Sequence, residues 1–424
     1  MAIVAVVIFL CAYALLASEK VHRTKVALGG AALMLLLRIT DADHAFFSDH
    51  TGIEWNVVFL LLGMMVIVAV LRRTGVFEYV AIWAAKRTRG RPYALMVMLC
   101  VLTAVASALL DNVTTVLLIA PVTFLVCQRL GLRPVPFLMA EVFASNIGGT
   151  ATLVGDPPNI IIAARGGLTF NDFLVHLAPI VVVLMVAFCL LCRWLFRRDF
   201  VYDAERAASV MRLNEREAIT DRGMLIKGLG VLGLVMIAFV LHPVLHYEPS
   251  VVALLGAGLL LLITDVDPVD AMGEVEWPTL AFFAGLFIMV GGLVETGVIA
   301  DVSQATADAT DGRLGLATMV LLGGSAVLSA IVDNIPYVAT MSPVVSDLVA
   351  AQGSGGHVLW WALALGADLG GNATAIGASA NVVALGIAAR EGHPIGFWEF
   401  TKYGLVVTVV TIALCVPYLW LRYL

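Results

Sequence analysis

The chain has 424 residues, 61% of them apolar and only 13% charged, with a mean hydropathy of +0.98. A soluble domain is nearer half apolar and a quarter charged, so this composition excludes a soluble enzyme and makes the lipid bilayer the chain's principal partner. The net charge of −6 argues against nucleic acid as a partner.

A spanning helix needs about 20 largely apolar residues. Taken in order, the first half predicts spanning helices over 2–17, 25–40 and 56–72, a broken helix over 135–165 and a helix over 173–196. No basic region precedes residues 1–17 and no small-residue cleavage site follows, so they read as a first spanning helix rather than a removed signal. Residues 77–91 are amphipathic and end in a basic cluster, which predicts an interfacial arm. Between arm and broken helix, 92–130 is apolar except for a polar middle, Asp111-Asn112-Val113-Thr114-Thr115. It reads as a re-entrant hairpin with that middle at its tip. Two full crossings joined by a charged turn would leave the helix parity unchanged. Residues 197–223 carry both signs of charge and form the linker. The plan then repeats, with helices over 224–242, 249–264 and 278–294, a hairpin over 314–351, a broken helix over 358–389 and a helix over 396–421. The six cysteines lie inside apolar segments, without metal-ligand spacing except for Cys189 and Cys192, which fit one helix face. They read as small core residues, and no metal or other cofactor is expected.

The two broken helices carry the strongest signal. Residues 148–159 read GGTATLVGDPPN and residues 370–381 read GGNATAIGASAN, and they align without gaps at an offset of 222. The same offset places Glu54-Trp55 on Glu276-Trp277, Gly75-Val76 on Gly297-Val298, and Ser107, Asp111, Asn112 and Pro121 on Ser329, Asp333, Asn334 and Pro343. A gapless register over so long a span marks a duplication. The expected fold is therefore an all-α polytopic membrane protein of two inverted repeats. Each holds about five spanning helices, a re-entrant hairpin and a broken helix. The domains are repeat 1 (1–196), the linker (197–223) and repeat 2 (224–424).

Orientation follows from Lys and Arg, which concentrate in cytoplasmic loops. Lys20, Arg23 and Lys25 follow the first helix, whereas 41–55 has acids and histidines but no Lys or Arg. Both termini are then expected outside and the linker in the cytoplasm. Only Arg38, Arg165, Arg313 and Arg422 fall at the outer face, leaving 21 of the 25 basic residues inside or near the inner face. Each repeat crosses five times, and an odd count inverts the second relative to the first. Hairpin 92–130 should enter from the cytoplasm and hairpin 314–351 from outside.

Non-helical backbone inside a membrane is tolerated only within protein or beside an aqueous cavity. Paired interruptions in two halves are the best sequence pointer to a transporter's site. The candidate ligands are Asn146, Thr150, Thr152, Asp156 and Asn159 from the first loop, and Asp368, Asn372, Thr374, Ser379 and Asn381 from the second. The hairpin tips add Asp111, Asn112, Thr114 and Thr115, and Asp333 and Asn334. Intramembrane acids mark ion paths, although Asp111 and Asp333 also suit helix caps. The uncharged ligands equally suit self-capping of broken ends. Asp156 aligns with Ala378 and Asp368 with Asn146, so each loop contributes one acid from a different corner. Glu141 lies in an apolar stretch and stands as a proton site or a hydrogen-bonded structural acid. No Lys or Arg falls in the expected centre, which argues against a basic clamp for a multivalent anion.

The segment AEVFASNIGGTATLVGDPPNIII, with LLDNVTTVLLIAPVT upstream, resembles the ArsB/NhaD-type branch of the ion transporter superfamily. That branch includes arsenite permeases and proteins of the pink-eyed-dilution (P) type, and is distantly related to divalent anion/sodium symporters. The likeness covers nearly the whole chain. It implies the inverted-repeat fold, a homodimer, an elevator motion and a wide substrate range. Relatives that carry carboxylates have Ser-Asn-Thr at both hairpin tips. Here the tips read Asp111-Asn112-Val113-Thr114 and Asp333-Asn334-Ile335-Pro336, a departure that argues against sodium-coupled dicarboxylate uptake.

The expected function is secondary transport in a bacterial plasma membrane, not catalysis. The leading expectation is proton-coupled efflux of an arsenite- or antimonite-like metalloid by an elevator. Parts 92–165 and 314–389 move against a scaffold of 2–72 and 224–294. A sodium/proton antiporter and an anion or organic-acid transporter are the alternatives, with the proton or sodium as coupling ion. An intramembrane protease using Asp111 and Asp333 would leave the duplicated loops without a role, and a passive channel could not countertransport. No GxxxxGK[ST] motif is present, so pump function would require a separate ATPase partner.

Overall fold

The computed structural model describes residues 1–18, 20–48, 51–212, 214–310 and 312–424. Of the expected outer loop, residues 49 and 50 lie outside the described residues, as does residue 213 of the linker. Every regular element among the described residues is helical, and eight of those helices are long and apolar enough to cross a membrane.

Each of the two expected hairpins is a pair of helices joined at a short turn. Pro92–Leu109 turns at Leu110 and Asp111 into Asn112–Leu130, and Leu314–Ile331 turns into Asn334–Gln352. The tips are fixed by capping. Asp111 accepts the Thr114 amide at 2.8 Å and Asp333 accepts the Ile335 amide at 3.0 Å, an interaction usually contributing about 1 kcal/mol. Each arm has 18 or 19 residues, so at 1.5 Å per residue it is about 27 Å long. The broken helices appear as Pro134–Gly149 with Pro157–Gly166, and as Val358–Gly370 with Ser379–Arg390.

Three expectations change in detail. The helix expected over 173–196 divides into Phe170–His176 and Ala178–Leu195, because Pro179 in the new first turn donates no amide. The linker contains the helix Ala204–Met211, which Asp203 caps by accepting two amides, and a short turn Glu215–Ala218. That turn holds the arm helix Val76–Arg87 through an ion pair between Lys86 and Glu215. The loop expected outside, 41–55, contains the short helix Ala42–Phe47, capped by Asp41.

The offset of 222 reaches individual hydrogen bonds. Ser107 Oγ donates to the Ser145 carbonyl at 2.7 Å, and Ser329 Oγ to the Ala367 carbonyl at 2.6 Å. Thr152 Oγ1 donates to the Ala108 carbonyl at 2.5 Å, and Thr374 Oγ1 to the Ala330 carbonyl at 2.6 Å. Each pair of bonds ties a broken helix to its own hairpin. Between repeats the packing is reciprocal. Trp55–Arg72 lies on Pro249–Ile263 from the other half, and Trp277–Glu295 lies on Arg23–Leu36. Asn112–Leu130 packs on Ser379–Arg390, and Asn334–Gln352 on Pro157–Gly166. Such mutual exchange is what a two-fold relation between the halves produces.

Candidate substrate and ion site

The two interrupted loops and the two hairpin tips meet. Asp156 stands at the N-terminus of Pro157–Gly166, where Pro157 and Pro158 remove the first amide donors, and its side chain makes no cap bond. The carboxylate is therefore available to the tips. Asn112 Nδ2 donates to Asp156 Oδ2 at 2.7 Å, and Asn334 Nδ2 approaches both Asp156 oxygens at 3.3 and 3.4 Å. One acid thus accepts from the corresponding asparagine of each hairpin.

Asn146 extends this network across the repeats. Its Oδ1 accepts Asn112 Nδ2 at 3.2 Å, and its Nδ2 donates to Asn372 Oδ1 at 2.9 Å and Asn381 Oδ1 at 3.0 Å. Asp368, the counterpart of Asn146, is fully buried, and neither of its oxygens has a hydrogen-bond donor among the described residues. Thr150 and Asn159 stand beside it, but their donors are spent elsewhere. Thr150 Oγ1 donates to the Asn146 carbonyl at 2.9 Å, and Asn159 Nδ2 points to the carbonyls of Gly149, Thr150 and Thr152. Asn112 Oδ1, Asn159 Oδ1 and Asn372 Nδ2 are also buried without a partner among the described residues. A buried polar group left unpaired costs about 1–3 kcal/mol. The concentration of such groups around two acids is what a site for an oxygen-coordinated cation or a hydroxyl-bearing solute requires.

The remaining predicted residues sort by what they touch. Thr152, Thr374, Asn159 and Asn381 direct their donors to loop and hairpin carbonyls, so these side chains hold the unwound backbone in shape. Thr115 is buried and its hydroxyl has no partner among the described residues, while Thr114 contributes its amide to the Asp111 cap. Asp333 caps its tip and also accepts from Ser379 at 2.6 Å. Glu141 bonds to Thr123 at 2.6 Å, apart from the asparagine network.

Two side chains outside the predicted set reach this region. Tyr13, on Ala2–Ser18, donates to the Pro336 carbonyl and lies 2.9 Å from Thr340 Oγ1. Arg23 donates to Ser379 Oγ and, at 3.1 Å, to Thr279 Oγ1. The expectation of no basic residue near the centre therefore needs correction at its edge. Arg23, Asp333 and Ser379 line one cavity of about 340 Å³. Its position following a polar loop was the available signal, and loop charge alone had accounted for it.

Residues 13–366 match the model of a family described as citrate transporter, CitMHS. An uncharacterized transporter of Mycobacterium bovis is 59% identical over 425 residues, covering 100% of this chain and 99% of that protein. The P protein of Sus scrofa is 35% identical over 497 residues, covering 98% of this chain and 59% of that longer protein. The crystal structure of the Alcanivorax borkumensis YdaH transporter aligns with TM-score 0.64 over 94% of this chain and 96% of that one. At 16% identity that likeness concerns the fold. The chain is a membrane transporter, and it belongs to the CitMHS citrate transporter family of the ion transporter superfamily, within the ArsB/NhaD-type branch that also contains the P protein.

Proposed function

We propose that this transporter is a secondary active antiporter that exports a neutral metalloid hydroxide of the arsenite or antimonite type in exchange for protons. The observation that carries the reading is the buried constellation of Asp156, Asp368 and unpartnered amide oxygens, with no guanidinium inside it. Metalloid acids are neutral near neutral pH and offer several O–H donors, which suit these acceptors. An all-oxygen acceptor set also suits a hard cation, and that favours sodium/proton exchange as the second reading. Arg23 at the cavity edge gives the organic-anion reading its one supporting contact.

The motion that fits this site is an elevator. Hairpins and broken helices form a body around the network, and it slides against the paired helices of 2–72 and 224–294, which a homodimer anchors in a bacterial plasma membrane. The test is flux in proteoliposomes under an imposed pH gradient, screening arsenite, sodium and organic acids separately. Arsenite uptake driven by protons moving the other way is expected. Arsenite flux indifferent to the gradient, alongside gradient-driven sodium flux, would transfer the assignment to sodium.

Topology has its own expected result. Cysteines introduced in 41–55 should react with an impermeant reagent from outside, and those in 197–223 from inside. Reaction of both from one side would remove the inverted-repeat arrangement.

A further inference from the structure

Arg23 breaks the pseudo-symmetry. Its counterpart at the offset of 222 is Leu245. The guanidinium lies between two carboxylates and reaches each through a hydroxyl. Toward the body, it donates to Ser379 Oγ, which donates to Asp333 Oδ2 at 2.6 Å. Toward the scaffold, it donates to Thr279 Oγ1 at 3.1 Å, which donates to Glu276 Oε2 at 3.0 Å. The ring of Phe282 lies 5.5 Å below the guanidinium carbon. Asp111, the counterpart of Asp333, has Glu276 as a charged neighbour instead of an arginine. Of two symmetry-related tip acids, one is tied to the scaffold by a cationic fork.

Resting on the elevator reading above, we propose that Arg23 is a positioning residue that senses the charge on Asp333 and holds or releases the moving body accordingly. With Asp333 ionised, the arginine–serine–aspartate relay is charge-assisted at both ends, the stronger kind of hydrogen bonding. A proton on Asp333 removes one end. Arg23 then keeps only its scaffold arm through Thr279 to Glu276, and the second hairpin tip and the Ser379 loop are free to leave. The relay thus converts protonation of Asp333 into movement, whichever acid carries the exchanged proton. The other titratable groups facing Asp333 are Tyr13 on the first helix, His22 in the same cavity, Tyr337 on its own helix and Asp156 across Asn334.

The test is amide hydrogen exchange of the full chain in nanodiscs from mildly acidic to mildly basic pH, corrected for intrinsic rates. In the wild type, amides 332–340 should lose protection as pH falls. Arg23→Gln should leave them at least about tenfold less protected at high pH, with a flat profile. Ser379→Ala cuts the same relay elsewhere and should give the same result. Asp333→Asn preserves the cap on Ile335 but is neutral throughout, so it should also be flat. His22→Gln should keep the wild-type profile. Protection of 55–72 reports that each variant is folded. A wild-type profile in both Arg23→Gln and Ser379→Ala overturns the proposal, as does a flat wild type or a profile abolished by His22→Gln. Coordinated deprotection of the faces of 157–166 and 379–390 supports the sliding body. Deprotection confined to the tip refutes release of the body while leaving the flux assignment untouched.

Discussion

Replacing Asp156 with Asn should abolish gradient-driven flux and leave the protein folded. The carboxylate accepts from Asn112 at 2.7 Å and from Asn334 at 3.3 and 3.4 Å. An amide in its place keeps one acceptor oxygen, which can serve Asn112, but turns its own N–H₂ toward Asn334. An unpaired buried donor costs about 1–3 kcal/mol, so the closed arrangement of the two tips loses about tenfold to a hundredfold in stability. On the proposed proton exchange, the substitution also removes the group that takes up and releases the proton. Proteoliposome flux under a pH gradient should fall by at least about a hundredfold, with binding measured in parallel. Asp368→Asn should act similarly on flux but less on the tips, since its oxygens hold no donor among the described residues. Full coupled transport by both variants would refute the assignment and move the coupling role to Asp111, Asp333 or Glu141.

Two glycines of the broken helices are sensitive points for stability. A Cβ built on Gly148 would lie 2.4 Å from the Ala104 backbone, and one on Gly370 would lie 2.6 Å from the Ala326 carbonyl oxygen. These positions correspond at the repeat offset, and each lets a broken helix touch the first arm of its hairpin. Small residues permit such close helix packing in membranes, where apolar burial itself drives little association. Overpacking usually costs about 1–3 kcal/mol, and here the obstruction is backbone, which cannot rotate away. Gly148→Ala and Gly370→Ala should each lower stability by about 3 kcal/mol. Gly29→Ala, with nothing within 4 Å of the added carbon, should be neutral or slightly stabilising. Thermal unfolding in detergent would measure all three. Wild-type unfolding of the Gly148 variant would mean that this contact is looser than described.

The repeat was the most legible feature. One offset brought the broken helices, hairpins and Glu-Trp starts into register, and the serine and threonine staples follow it. Distinguishing ligands from staples was beyond one-dimensional pattern. Thr152 and Asn159 have the right chemistry for a site, yet their donors close onto carbonyls 44 and 7–10 residues away. For Glu141 the sequence left a proton site and a structural acid both open, and it does not show that Thr123 donates to Oε1 while Oε2 is buried with no partner among the described residues. Arg23 and Tyr13 were missed for a different reason. They reach partners 356 and 323 residues distant, and their counterparts Leu245 and Val235 carry no polar group, so the repeat gives no hint of them.

The reciprocal pairing of helices between the halves has a consequence for biogenesis. Trp55–Arg72 lies against Pro249–Ile263, so when it leaves the ribosome its partner has not been made. At about 5–20 residues per second, the wait is roughly 10–35 s. In water, an apolar face left open that long would aggregate. In a bilayer, lipid chains cover it at little cost, because they are as apolar as its eventual neighbour. The membrane thus stores the first half of the nascent chain until the second arrives. If the coding sequence were divided within the linker, two fragments synthesised together should still find each other, whereas neither alone should persist.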